Sequence, residues 1–75
     1  MEGSILALLE RHGSLAYEQI AALLRERPDD VRNTLTQLRD HGSIDALKVG
    51  NRANPATSWR LTDSGRAALA ALRGT

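Results

Sequence analysis

Pro28-Asp29-Asp30-Val31-Arg32-Asn33-Thr34-Leu35-Thr36-Gln37-Leu38-Arg39-Asp40-His41-Gly42-Ser43-Ile44-Asp45-Ala46-Leu47-Lys48-Val49 decides the fold, because its apolar spacing changes partway along. Val31, Leu35 and Leu38 recur at i, i+4 and i+7, one stripe of an α-helix. Pro28 suits the first turn of that helix, where its missing N–H costs nothing, and Asp29 and Asp30 follow where the helix dipole favours anions. Gly42 stops it, so the spacing predicts a helix over about 28–41. Beyond Gly42 the period shortens. Ser43 to Val49 contains Ile44, Ala46, Leu47 and Val49, and Thr57 to Leu61 places Trp59 and Leu61 on one face by alternation. These read as two strands, joined by the polar, turn-forming stretch Gly50-Asn51-Arg52-Ala53-Asn54-Pro55.

Towards the N-terminus two more helices are expected. Ser4 can cap the first, over about 4–12, with Ile5, Leu8 and Leu9 on one face and Gly13 placed to end it in a left-handed conformation. After the extended piece Ser14-Leu15-Ala16, a second helix from about Tyr17 to Leu24 repeats the stripe with Ile20, Leu23 and Leu24. Towards the C-terminus, Thr62 caps a helix from Asp63 to about Arg73, with Leu69 and Leu72 as its larger apolar contacts.

The class is therefore mostly α with a small β-hairpin, α+β, in a single domain over 1–75. Seventy-five residues with 41% hydrophobic and 25% charged content suit one small globular unit rather than a disordered chain. Without cysteine no disulfide is possible, and two isolated histidines do not make a Cys/His metal site, so no metal is expected. Charge interrupts every apolar stretch well short of the ~20 residues of a membrane span. A cytoplasmic protein without a membrane partner is expected.

The order helix, short strand, helix, tight turn, helix, hairpin, helix resembles the winged helix-turn-helix superfamily, as in small transcription regulators of the MarR and PadR kind. The resemblance spans nearly the whole chain. It is carried by Gly13-Ser14-Leu15-Ala16-Tyr17-Glu18-Gln19-Ile20-Ala21, by Pro28-Asp29-Asp30-Val31, by Leu35 to Gly42, and by Leu61-Thr62-Asp63-Ser64-Gly65. Ile20 and Ala21 let the second helix pack closely on the third, and Gly65 permits close approach of the last helix to its neighbours. The chain departs from the pattern in two respects. Where most relatives have a glycine, an apolar residue and a capping serine or threonine before the third helix, Arg25-Glu26-Arg27 stands here. Such regulators also usually carry further helices for dimerisation. The chain is thus a homodimer through short terminal segments, a monomer, or a piece joined to a larger protein partner.

The resemblance implies that the third helix enters the major groove of double-stranded DNA. With Val31, Leu35 and Leu38 buried, the opposite face presents Asp29, Asn33, Thr36, Gln37 and Asp40, with Arg32 and Arg39 on one flank. Arg32, Asn33, Thr36 and Gln37 are the candidate base-reading residues, since Asn or Gln pairs with adenine and Arg with guanine. Arg27, Lys48, Arg52, Asn54 and Arg60 are candidates for the DNA backbone, the last four from the wing over 48–60. Trp59 shares a face with Leu61 and is read as core. Charge leans the same way: residues 1–31 hold three arginines against six acids, a balance of −3, and residues 32–75 hold seven bases against three acids, a balance of +4.

Two other functions compete. Catalysis lacks a nucleophile and base pairing, a phosphate-cradling glycine loop and room for a closed pocket, so neither an enzyme nor a cofactor is expected. A winged helix that binds another polypeptide without reading DNA is the alternative, favoured by the near-neutral net charge of +1 and the paired aspartates.

Overall fold

The computed structural model describes residues 1–50, 53 and 55–74. Its elements run α1 (Glu2–His12), β1 (Ser14–Leu15), α2 (Tyr17–Leu24), α3 (Pro28–Asp40), β2 (Ile44–Gly50), β3 (Pro55–Leu61) and α4 (Asp63–Arg73). The strands form one antiparallel sheet of order β1-β3-β2, in which Leu15 faces Trp59 across one side of β3, and Ile44 faces Leu61 and Lys48 faces Thr57 across the other. The extended piece before α2 is thus a third strand of the wing's sheet. No helix among the described residues is long and apolar enough to cross a membrane.

One core joins the elements: Ile5, Leu6, Leu9, Leu15, Ile20, Ala21, Val31, Leu35, Leu38, Ile44, Leu61 and Leu69. The expected α3 stripe is buried entirely, and Ala21 is buried with it. Trp59 is half-buried against this cluster. In α1 and α2 the stripe lies to one side of the expected one. At 100° per residue, Tyr17, Ile20, Ala21 and Leu24 share a face of α2, and Leu23 falls on the flank, where it is 53% exposed. In α1 Leu6 takes the buried place beside Ile5 and Leu9, and Leu8 is only half-buried. Leu72 is 61% exposed because the last turn of α4 runs along the start of α1, where Gly3 offers no side chain to cover it; a Cβ there would lie 3.5 Å from Leu72.

Boundaries follow local chemistry. The first helix starts two residues earlier than Ser4, with Met1 as N-cap and no side-chain cap. Gly13 ends it at φ +86°, which glycine adopts without steric cost. Gln19 Oε1 accepts from the Ala16 N–H at 2.9 Å, which fixes the start of α2. The third helix ends at Asp40, one residue short of expectation, with His41 as C-cap and Gly42 at φ +77°.

Thr62 caps α4 as expected. Its hydroxyl accepts from the Gly65 N–H at 3.0 Å and donates to the Gly42 carbonyl, while the Thr62 N–H donates to the Ser43 carbonyl at 3.1 Å. The end of α3, the root of β2, the end of β3 and the start of α4 therefore meet at one junction. Gly65 sits in it without room for a side chain.

The turn between α2 and α3 shows how the missing glycine is replaced. Arg25 itself takes the left-handed conformation, φ 55° and ψ 41°, and is the C-cap of α2. A residue with a Cβ pays roughly 1–2 kcal/mol there, part of which glycine would give back as chain entropy. Arg25→Gly is therefore expected to raise stability by about 0.5–1 kcal/mol, measured by urea denaturation; a destabilised variant would show that the Arg25 side chain holds the turn.

Candidate nucleic-acid interface

The outward surface of α3 divides by angle around the helix. Asp29, Asn33, Gln37 and Asp40 form the outermost face, and all are exposed. Arg32, Thr36 and Arg39, at i, i+4 and i+7, form the flank that turns towards the sheet. There they meet Tyr17, Thr57 and Trp59, with Leu35 at the floor, around a groove of about 290 Å³. The Arg32 guanidinium carbon lies 5.4 Å from the centroid of the Tyr17 ring, a cation–π contact. The Thr36 hydroxyl donates to the Arg32 carbonyl at 3.0 Å. Towards a ligand, Thr36 therefore offers an acceptor oxygen and a methyl group rather than a donor.

The wing continues this surface. Directly opposed residues of an antiparallel pair share a face, so Lys48, paired with Thr57, lies on the Trp59 side of the hairpin and extends the basic flank of α3 outward. Arg60 lies on the other face. There it pairs with Asp45 at 3.6 Å, both exposed, beside a cleft of about 440 Å³ that Glu10, Asp63 and Arg66 also line. Exposed, at this distance, the pair contributes little to stability. Arg27 is the exposed N-cap residue of α3. Arg52 and Asn54, like Asn51, lie outside the described residues.

Of the predicted positions, the structure brings Arg32 and Thr36 together in the groove, aligns Lys48 with them, keeps Asn33 and Gln37 on the adjoining face, and sets Arg60 apart. Tyr17, Arg39 and Thr57 line the groove beyond the positions the sequence pattern predicts. Arg39 carries a legible signal, two helical turns beyond Arg32 on the same flank. Tyr17 does not, because its contact joins two helices. Among the described residues no group of three or more His, Asp and Glu side chains could hold a metal ion.

Three helices, a β-hairpin closed by a short third strand and a final helix packed on the first define a winged helix-turn-helix domain, α+β in class. Among solved structures, the chain is similar to Bacillus subtilis PadR in complex with operator DNA, with a TM-score of 0.78 and 26% identity, covering 91% of this chain and 43% of that one. It is similar to the YusO protein from Bacillus subtilis, with a TM-score of 0.77 and 25% identity, covering 91% of this chain and 48% of that one. A MarR family transcription regulator shares the fold with a TM-score of 0.83 at 22% identity, over 97% of this chain and 48% of that one. The chain thus spans a little under half the length of each of these structures. No family model matches the sequence, and no curated protein does.

Proposed function

We propose that this chain binds double-stranded DNA sequence-specifically, as the reading domain of a small transcription regulator, with α3 in the major groove and the 48–60 wing on the backbone. The observation that carries this reading is the single surface on which the basic flank of α3, its amide-bearing face and the Lys48 face of the wing adjoin. The likeness to PadR, whose solved structure contains operator DNA, supports it. The 75 residues work in it as one domain, and a second copy or a larger protein partner supplies the other half-site.

The roles follow from reach and chemistry. Asn33 and Gln37 pair with adenine edges, Arg32 with guanine, and Thr36 offers its methyl group to thymine. Arg27 and Lys48 meet phosphates, as do Arg52 and Asn54 of the 48–60 wing, while Arg60, on the opposite face of the hairpin and paired with Asp45, stands outside this surface. None of these steps is catalytic or needs a cofactor.

The test is fluorescence anisotropy on a duplex selected from a random library and on its scrambled version, at several salt concentrations. Lys48→Ala is expected to weaken both duplexes alike and to reduce the salt slope by about 0.9, one phosphate's worth of counterion release. Asn33→Ala and Gln37→Ala should leave the slope unchanged and cost about 1–3 kcal/mol on the selected duplex only. Equal losses on both duplexes would remove α3 from base reading. If the unmutated protein fails to bind any duplex at low salt, the polypeptide-binding alternative takes its place, favoured by the exposed Asp29, Asp30 and Asp40 on α3.

A further inference from the structure

Arg32 is exposed on the flank of α3, and an unsupported arginine there would sample many rotamers. It is not unsupported. Its guanidinium carbon stands 5.4 Å from the ring centroid of Tyr17, the first residue of α2. The ring packs half-buried against the core. The backbone leading into it is fixed as well, since Gln19 Oε1 accepts from the neighbouring Ala16 N–H and Leu15 is paired with Trp59 in the sheet. The Thr36 hydroxyl, donating to the Arg32 carbonyl, ties the arginine's backbone to the next turn of α3.

We infer that Tyr17 is a positioning residue for base recognition: its ring is a fixed platform that holds the Arg32 guanidinium in the groove beside α3, aimed at the O6 and N7 of a guanine. This rests on the DNA reading above and adds to it one residue on a different helix. The ring face attracts the cation while leaving the planar N–H fork free at its edge, and that fork is what a bidentate contact with guanine uses. The hydroxyl of Tyr17 has no part in the contact, so phenylalanine should serve in its place.

The test combines the free protein and the complex. In the free protein, the ring current of Tyr17 should shift the Arg32 side-chain protons upfield in the NMR spectrum; the shift should persist in Tyr17→Phe and vanish in Tyr17→Leu. In anisotropy titrations on the selected duplex, Tyr17→Leu should lose roughly 2- to 5-fold in affinity, as expected of an exposed cation–π contact. Tyr17→Phe should stay within about 2-fold. Both should keep the unmutated salt slope and the unmutated affinity for scrambled duplex. Replacing the contacted guanine with 7-deazaguanine, which lacks the N7 acceptor, should weaken the unmutated protein more than it weakens Tyr17→Leu. The double variant Tyr17→Leu with Arg32→Ala should bind no more weakly than Arg32→Ala alone. Additive losses in the double variant, or equal losses on both duplexes, would overturn the platform role while leaving DNA recognition standing. Absence of duplex binding by the unmutated protein would instead strike the DNA reading itself, and the platform role with it.

Discussion

Replacing Gly65 with alanine is expected to lower the melting temperature by more than about 12 °C, although alanine is the better helix former by about 1 kcal/mol. The sign is decided by space. A Cβ on Gly65 would lie 1.9 Å from the Ser43 carbonyl oxygen and 2.9 Å from its carbon, both backbone atoms, with Leu61 at 3.1 Å behind them. No side-chain rotation relieves such an overlap, so either α4 or the root of β2 must move. Overpacking alone costs typically 1–3 kcal/mol. Here the displaced carbonyl is also the acceptor for the Thr62 N–H, and the Thr62 cap of α4 depends on the same geometry. Losing that hydrogen bond and weakening the cap add about 1 kcal/mol each, for a total of about 3 kcal/mol or more. Thermal melting followed by far-UV circular dichroism measures it; an unchanged or higher melting temperature would show that α4 does not approach Ser43 so closely.

Leu35→Ala should cost about 2–5 kcal/mol, through lost burial and the cavity left behind. Leu35 is 1% exposed, sits in the middle of the α3 stripe and forms the floor of the groove beside Arg32 and Thr36. A chain of this length has roughly 4–11 kcal/mol of stability at ordinary values per residue, so the loss would leave a measurable unfolded population. Leu23→Ala is the matched control, because the same side chain on the exposed flank of α2 should change stability by less than about 0.5 kcal/mol. Urea denaturation of the two variants compares them directly. Similar losses in both would place the core stripe of one helix or the other in the wrong register.

The contrast between these two leucines marks how far the fold was legible. In α3 every apolar residue beyond the first-turn Pro28 belongs to one stripe, because its other positions are charged or carry an amide or a hydroxyl, and the burial of Val31, Leu35 and Leu38 follows without choice. In α1 and α2 the sequences Ile5-Leu6-Ala7-Leu8-Leu9 and Ile20-Ala21-Ala22-Leu23-Leu24 allow two neighbouring stripes each. Which one is buried depends on where the other helices sit, and periodicity carries no information about that. Thr62 and Gly65 were readable because a cap and a side-chain-free first turn leave local signatures. The left-handed Arg25 was not, since propensity argues against it and only the closure of the turn between two packed helices demands it. The site divided in the same way. The face of α3 followed from its angles, whereas the approach of Tyr17 to Arg32 and the alignment of Lys48 with the groove needed the sheet register and the packing of α2.

The strand order β1-β3-β2 leaves β2 with a single neighbour, and a free strand edge is an open template on which another extended chain can build. This edge is defended by its own residues. The Asp45 carboxylate turns back to accept from the Ala46 N–H at 2.9 Å, occupying a donor that an incoming strand would need. It also places a negative charge beside that position, with the Lys48 cation further along the strand. A visiting strand would have to displace the carboxylate and desolvate both charges before forming its first ladder bonds. The hairpin can therefore extend outward from the core, in a molecule measuring 45 × 25 × 21 Å, with its exposed edge protected against runaway self-association.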